Sequence, residues 1–274
     1  FPISCPLCRA SRCDIASHNR SNARQSGPDV GWRIGSSPES GTLFVATRFR
    51  PNQRLASMDR MTGPSALGQQ SWPDLGPSIT LLVPLGALEQ HGPHLPLDTD
   101  TRIASAVTAR VHAESGTVFR APELAYGASG EHEGFAGTIS IGHEALYQVL
   151  LEYGRSACRW ADRLLFVNGH GGNGPTLRSA VARLRYEGRD VAWFPCAFPS
   201  ADAHAGFTET SALLHLSPEL VRSDRSEPGN CAAVATLLPA MREGGVAAVS
   251  PNGVLGDPSD ATAAEGGRLL DAMV

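Results

Sequence analysis

The segment EQHGPHLPLDTD, residues 89–100, sets one Glu, two His and two Asp within twelve positions, directly behind the apolar run ITLLVPLGAL. Imidazole and carboxylate without thiolate suit zinc, manganese or ferrous iron, and not copper(I) or an iron–sulfur cluster. A second apolar run, RLLFV, opens into NGHGGN and carries His170 in a glycine-rich turn. A third patch, DAHAGFTETSALLHL, holds His204, Glu209 and His215. Taken singly, each His reads as a surface or hydrogen-bonded core residue, and Glu209 as a carboxylate favoured in the first turn of a helix. Clustering reverses that reading, because so many imidazoles and carboxylates at the ends of buried strands are costly to desolvate without a cation. Glu89 and His91 stand two apart, so persisting strand geometry would point both to one face, toward neighbouring ions. GPHLPL is too rich in proline to continue as a helix and must turn, which returns Asp100 to the same place.

Such groups work together only if several strands end side by side. From Ile79 onward, short apolar runs (ITLLVPLGAL, TVFRAPEL, RLLFVNGH, DVAWFPCAF, GVAAVSP) read as strands by length and β-branched or aromatic content. Between them, TRIASAVTARVHAES, HEALYQVLLEYGRSACRWAD, PTLRSAVARLRYEG and NCAAVATLLPAMREG carry apolar residues at helical spacing, and FTETSALLHLSPEL reads as a further helix. This β-α alternation predicts one α/β domain, a mostly parallel sheet with helices on both faces. In open α/β sheets ligands bind beyond the carboxyl ends of the strands, where the clustered residues fall.

Composition narrows the function further. The chain has 274 residues, a formal net charge of -4 and 18 % charged residues, so no general field favours nucleic acid or an anionic membrane. No run approaches a membrane span or the apolar core of a signal peptide, which makes a cytoplasmic location the expectation. Residues 1–70 are rich in Ser, Arg, Gly and Pro without hydrophobic periodicity, and Phe1 to Ser57 holds eight Arg and no Lys against Asp14, Asp29 and Glu39. They are expected to be a disordered or non-native extension, with a native start at Met58 or Met61, and residues 71–274 the folded domain; a basic arm that binds a partner is the alternative. Cys5 and Cys8 have zinc-ligand spacing but no partner pair, Cys13 stands beside them, and Cys158, Cys196 and Cys231 read as buried thiols.

Taken in order, LGALEQHGPHLPLDTD, EGFAGTISIG, NGHGGN and HAGFTETS resemble the creatininase family of metal-dependent amidohydrolases, from about Ile79 to the last residue. The resemblance implies a creatininase-like α/β domain with two divalent metal ions per chain, zinc and/or iron with manganese also admitted, at the strand ends. Glu89 and His170 would hold one metal, His91 the other, and Asp100 would bridge them. Creatininase has a Glu two residues after the NGH histidine; Gly172 stands there in this chain, so Glu209 of the ETS motif is assigned to the second metal. His204 matches the family histidine that carries a proton beside the metals, and Ala203 replaces the acidic residue before it, which speaks against creatinine as substrate. Glu131 and His132 are assigned to substrate binding, against the alternative that a pair in a Gly-rich loop faces solvent.

Two divalent ions about 3.5–4 Å apart can lower the pKa of a water to about 7, setting up attack on an amide while His204 passes a proton to the leaving amine. GASGEHEGFAGTISIG, EGRDVAWFPC, DAHAGFTETSALLHLSPELVR and SPNGVLGDPSDATAAEG most resemble a peptidase branch of the family. That branch implies release of a small C-terminal fragment, derived from Val-Tyr, from a modified precursor peptide. An amidohydrolase acting on another small amide or formamide is the alternative. Family members commonly form homo-oligomers, often hexamers. Neutral ligand imidazoles imply activity falling as pH drops through about 6.

Two other chemistries are legible. GHGGNG, Gly169 to Gly174, satisfies GxGxxG between a strand and a helix, as in dinucleotide-binding enzymes, with Asp190 about twenty residues on. Yet Asp190 opens the next strand, whereas a ribose-binding acid belongs at its end, and the reading leaves EQHGPHLPLDTD idle. GASG around Ser129 lacks the spacing of a serine nucleophile elbow.

Overall fold

The computed structural model describes residues 33–36, 43–46, 65–111, 118–197 and 201–274. Cys5, Cys8, Cys13, Met58 and Met61, with most of the expected extension 1–70, lie outside the described residues. Within that extension β1 (Arg33–Ser36) and β2 (Leu43–Ala46) pair antiparallel, a two-stranded unit too short to stand out as sequence periodicity. The short β3 (Ser65–Ala66) already belongs to the main sheet, ahead of the boundary expected at residue 71.

That sheet comprises β3, β4 (Thr80–Leu85), β5 (Val118–Arg120), β6 (Arg163–Asn168) and β7 (Val191–Pro195), all parallel, in the order β3-β5-β4-β6-β7. The helices are α1 (Thr99–Arg110), α2 (Gly142–Ala157), α3 (Gly174–Tyr186), α4 (Phe207–Leu216), α5 (Val234–Gly244) and α6 (Ala263–Ala272). Side chains alternate across a strand, so each strand feeds two cores. Leu81, Val83 and Leu85 of β4 and Leu164 and Phe166 of β6 meet Leu146 and Leu150 of α2 and Leu177 and Leu184 of α3. On the other face, Val167 of β6 packs with Ile103 and Val107 of α1, Leu213 of α4 and Leu270 of α6. Each fully buried Leu contributes about 1.5–3 kcal/mol relative to exposure, so burial of these two apolar layers dominates the favourable energy of folding.

One expected strand is absent. GVAAVSP forms a 3-10 turn at Val246–Ala248, with the Val249 and Ser250 N–H groups both returning to the Val246 carbonyl at 3.0 and 2.8 Å. Of its VAAV core only Val246 is buried, and a strand seated on the sheet would have buried alternate residues.

The chain leaves β4 through α1 toward β5 and leaves β6 through α3 toward β7, on opposite sides. The crevice beyond β4 and β6 is therefore the topological switch point of the sheet, the usual ligand position in this architecture. Gly86 follows β4 and Gly169 follows β6; a Cβ on the first would collide with Thr101, and on the second with the carbonyl oxygen of Asp100. The two glycines let the first turn of α1 lie directly against both strand ends and wedge Asp100 between them. Gly169→Ala is expected to cost about 1–3 kcal/mol by overpacking. It should also displace Asp100 and weaken cation binding, both measurable by denaturant unfolding and metal titration; unchanged values in both would contradict this packing role.

Candidate metal centre

Beyond β4 the chain stays extended through bridges between Leu88 and Ile139 and between His91 and Leu95, then turns back into α1. The Glu89 N–H donates to the Leu97 carbonyl at 3.0 Å. His91 Nδ1 lies 3.1 Å from the Glu89 carbonyl oxygen and donates to it, which leaves the Nε2 lone pair facing Asp100 Oδ1 at 3.1 Å and Glu209 Oε2 at 3.8 Å. Beyond β6, His170 Nε2 donates to the Ala128 carbonyl at 3.0 Å, and its Nδ1 faces Glu89 Oε1 at 3.1 Å and Asp100 Oδ2 at 3.5 Å. The two oxygens of Asp100 thus look at different imidazoles. The ligand atoms fall into three compact sets: Glu89–His91–His204 is one, and the other two, Glu89–Asp100–His170 and His91–Asp100–Glu209, share the Asp100 carboxylate.

The two sets that share Asp100 fit a pair of cations. Glu89 is fully buried, and neither of its carboxylate oxygens, nor Asp100 Oδ2, has a hydrogen-bond partner. A buried orphan carboxylate is costly, and a lone pair 3.1 Å from a carboxylate oxygen repels it unless a proton or a metal lies between. Each imidazole spends its other N–H on a backbone carbonyl, as metal-ligating histidines do. Burial opposes the charged forms of His91 and His170, but the facing carboxylates outweigh it, Asp100 first for His91 and Glu89 first for His170, and push both up to about 10. Burial likewise works against the Glu89 anion, yet His170, His132 and His91 hold it well below the ordinary carboxylate range.

In the cation-free chain, then, protons occupy the places a metal would take. Zinc uptake at pH 7 should release at least two protons per chain, from His91 and His170 with a further share from the Glu209 carboxyl, and apparent affinity should fall with pH over the whole range below about 10, not only below 6. Stability has a matching sign. A histidine raised from 6.5 to about 10 on folding contributes stability that is complete below 6.5 and lost as pH rises through 10. The cation-free chain should therefore melt lower at pH 10 than at pH 7. Calorimetric titration in buffers of unlike ionisation enthalpy reads the proton count, and zinc uptake without proton release would contradict it.

Glu209 opens α4, and its Oε2 accepts the Ala205 N–H at 2.6 Å while also facing His91. Burial and the nearby Asp100 raise its carboxyl to about 7 against the pull of His91. Ala205 holds φ at +53°, an uncommon conformation for a residue with a Cβ, in the turn that separates His204 from Glu209. The His204 ring stacks against His91 and His132, with centroids 4.3 and 4.4 Å away. Its Nε2 donates to the Gln90 carbonyl at 2.8 Å, and its Nδ1 is 3.9 Å from Glu89 Oε1. Burial, with His91 and His132 adding to it, drives its pKa well below the ordinary value, so the imidazole is neutral.

The other acidic and imidazole groups divide. His132 is buried, turns inward and lies 3.4 Å from Glu89 Oε1, whereas Glu131 stays partly exposed at the rim, 3.7 Å from His170 Nε2. Gly172 has no room for a side chain, because a Cβ there would meet His170 Nε2, lie 2.5 Å from Glu131 Oε1 and 2.7 Å from the Ala128 carbonyl oxygen. His94 turns to Thr210 Oγ1 at 2.9 Å, Asp98 pairs with Arg102 at 2.7 Å, and His215 bonds the Ala263 carbonyl at 3.2 Å, all apart from the two ligand sets.

Asp190, at the start of β7, pairs with Arg163 at 3.6 Å, which places it away from the GHGGNG turn. Ser129 is buried with its hydroxyl facing no base. Of the later cysteines Cys231 is exposed, contrary to expectation, while Cys158 and Cys196 are partly buried.

Sequence reasoning passed over the amides. Asn173 Nδ2 donates to the Gly86 carbonyl at 3.0 Å and to Asn168 Oδ1 at 3.1 Å, and its Oδ1 accepts the Ala128 N–H at 2.9 Å, tying three loops together. Asn168 donates to the His170 carbonyl at 2.6 Å, and Gln90 lies at the hub of His132 and His204. Both Asn flank the glycine-rich turn of NGHGGN, which was the available signal.

Comparison with known proteins gives the family and the fold. The family model Creatininase: Creatinine amidohydrolase matches residues 69–274. The mycofactocin precursor peptide peptidase of Mycobacterium tuberculosis (strain CDC 1551 / Oshkosh) is 63% identical over 211 residues, covering 74% of this chain and 83% of that protein. The same-named protein of Mycolicibacterium smegmatis (strain ATCC 700084 / mc(2)155) is 58% identical over 217 residues, covering 77% and 88%. Among solved structures, a crystal structure of creatinine amidohydrolase (creatininase) superposes with a TM-score of 0.63 at 26% identity, over 77% of this chain and 93% of that one.

Proposed function

The chain belongs to the creatininase family of metal-dependent amidohydrolases, and from that premise we propose that it is a two-cation peptidase acting on a modified precursor peptide in mycofactocin biosynthesis. The observation that carries the reading is Asp100, whose two oxygens face two imidazoles that each have their second N–H held by a backbone carbonyl. Glu89, Asp100 and His170 would hold one cation, and His91, Asp100 and Glu209 the other. Zinc, iron or manganese bound there would lower the pKa of a water to near 7 and polarise an amide carbonyl.

The remaining chemistry falls to His204. Its Nε2 proton is fixed on the Gln90 carbonyl, so Nδ1 is the atom that takes a proton and hands it to the departing amine. Burial keeps that ring neutral and therefore ready to accept. Glu131 lines a groove of about 440 Å³ with Gly130, Leu238 and Met241, beside His170, which gives an extended peptide a place to lie. Ala203 before His204 removes the carboxylate expected for creatinine, which favours peptide over creatinine. Among the described residues no helix is long and apolar enough to cross a membrane. Assembly into a homo-oligomer belongs to the same reading and is checked by light scattering.

A precursor-like peptide ending in Val-Tyr tests the substrate. Mass spectrometry should find a released C-terminal fragment, lost on adding a chelator and restored by zinc, iron or manganese. Cleavage indifferent to the chelator would contradict the mechanism, and deformylation of a small formamide without peptide cleavage would move the substrate to that class.

A further inference from the structure

Gln90 stands between two of the proposed ligands, Glu89 and His91, yet its side chain bonds neither carboxylate nor imidazole of that pair. Its Oε1 accepts the Gly92 N–H at 2.8 Å, and its Nε2 lies 2.8 Å from His132 Nδ1 and 3.1 Å from the Gly253 carbonyl oxygen. Reversing the amide would set oxygen against the Gly253 carbonyl and NH2 against the Gly92 N–H, so the orientation is determined by its partners. Both amide protons are then engaged, and His132 Nδ1 must be an acceptor. An imidazole that accepts at Nδ1 carries its proton on Nε2, and His132 Nε2 lies 3.4 Å from Glu89 Oε1. His204 Nε2, 3.1 Å from the same amide nitrogen, sends its own proton to the Gln90 backbone carbonyl and does not compete.

We propose that Gln90 is a positioning residue whose amide locks His132 in the tautomer that presents a donor, not a lone pair, to the Glu89 carboxylate, and so orients Glu89 toward its cation. The proposal rests on the reading of Glu89 as a ligand. Gln90→Glu has the same shape but offers His132 an acceptor, which puts a proton on Nδ1; the ring then either turns a lone pair toward Glu89 or, protonated on both nitrogens, competes with the cation for that carboxylate. His132→Gln, in contrast, supplies an amide N–H to Glu89 whatever residue 90 offers.

The test is a double-mutant cycle on zinc affinity, read by competition with a chromophoric chelator, with the unfolding midpoint of each zinc-free chain as a control. Gln90→Glu alone should weaken one of the two zinc ions about 10–100-fold, the usual effect of losing a partner that orients a ligand. In the His132→Gln background the same substitution should cost nothing more. An equal loss in both backgrounds would show that Gln90 only braces Gly92 and Gly253, and no loss in either would overturn the proposal as well. Nitrogen NMR of the zinc-loaded wild-type chain decides the matter even if a variant fails to fold, since His132 protonated at Nδ1 is incompatible with the proposal. Wild-type protein that binds no zinc would instead sink the metal reading on which it stands.

Discussion

Replacing Asp100 by Asn is expected to leave a folded chain that no longer keeps two cations and hydrolyses its amide substrate roughly 10²–10³-fold more slowly, the loss of about 3–4 kcal/mol of charge stabilisation. The substitution keeps the shape and removes both the charge and one of the two oxygens that face His91 and His170. Asp100 is buried, and that burial raises its pKa in the cation-free chain although His91 opposes the shift. Asn also removes the carboxylate that leads in holding the His91 proton, so the metal-free chain should melt lower at pH 7 than the unaltered one while still unfolding cooperatively. Metal content, hydrolysis and melting measured together separate this outcome from simple unfolding. A variant that kept both cations would remove Asp100 from the bridge.

His204→Ala should have the larger effect on turnover, about 10²–10⁴-fold in kcat, the range for removing a positioned proton carrier. Both cations should stay bound and KM should change little. The reason lies in the ring's two nitrogens: Nε2 is tied to the Gln90 carbonyl and cannot leave, while Nδ1 looks into the site without a hydrogen bond. A competing arrangement exists, since Glu89, His91 and His204 also bring ligand atoms together. If His204→Ala lost a cation along with activity, the ring would be a ligand and another group would have to carry the proton.

The two motifs behind β4 and β6 were legible because each packs its charged residues within a few positions of a continuous apolar run. Glu209 was harder. A carboxylate in the first turn of a helix needs no metal to explain it, and in the structure Glu209 accepts the Ala205 N–H just ahead of the helix while the same carboxylate faces His91. Only the resemblance of the ETS motif separated the two roles in advance. Gln90 and Asn173 were passed over because a neutral amide carries no signature until its partners are placed, and those partners lie up to 163 residues away. Gly86 and Gly169 read as turn residues, yet what they provide is the close approach of α1 to the strand ends, a distance that no local pattern encodes. GVAAVSP misled for the converse reason: it has strand composition, but only Val246 of its VAAV core is buried.

The central claim is that one carboxylate joins two cation sites. Crystals of the zinc-loaded chain, examined at the zinc absorption edge, test it most directly. The account predicts two anomalous peaks per chain, one on each oxygen of Asp100, with the first near Glu89 and His170 and the second near His91 and Glu209. A single peak, or a second one held by residues that exclude Asp100, would contradict it.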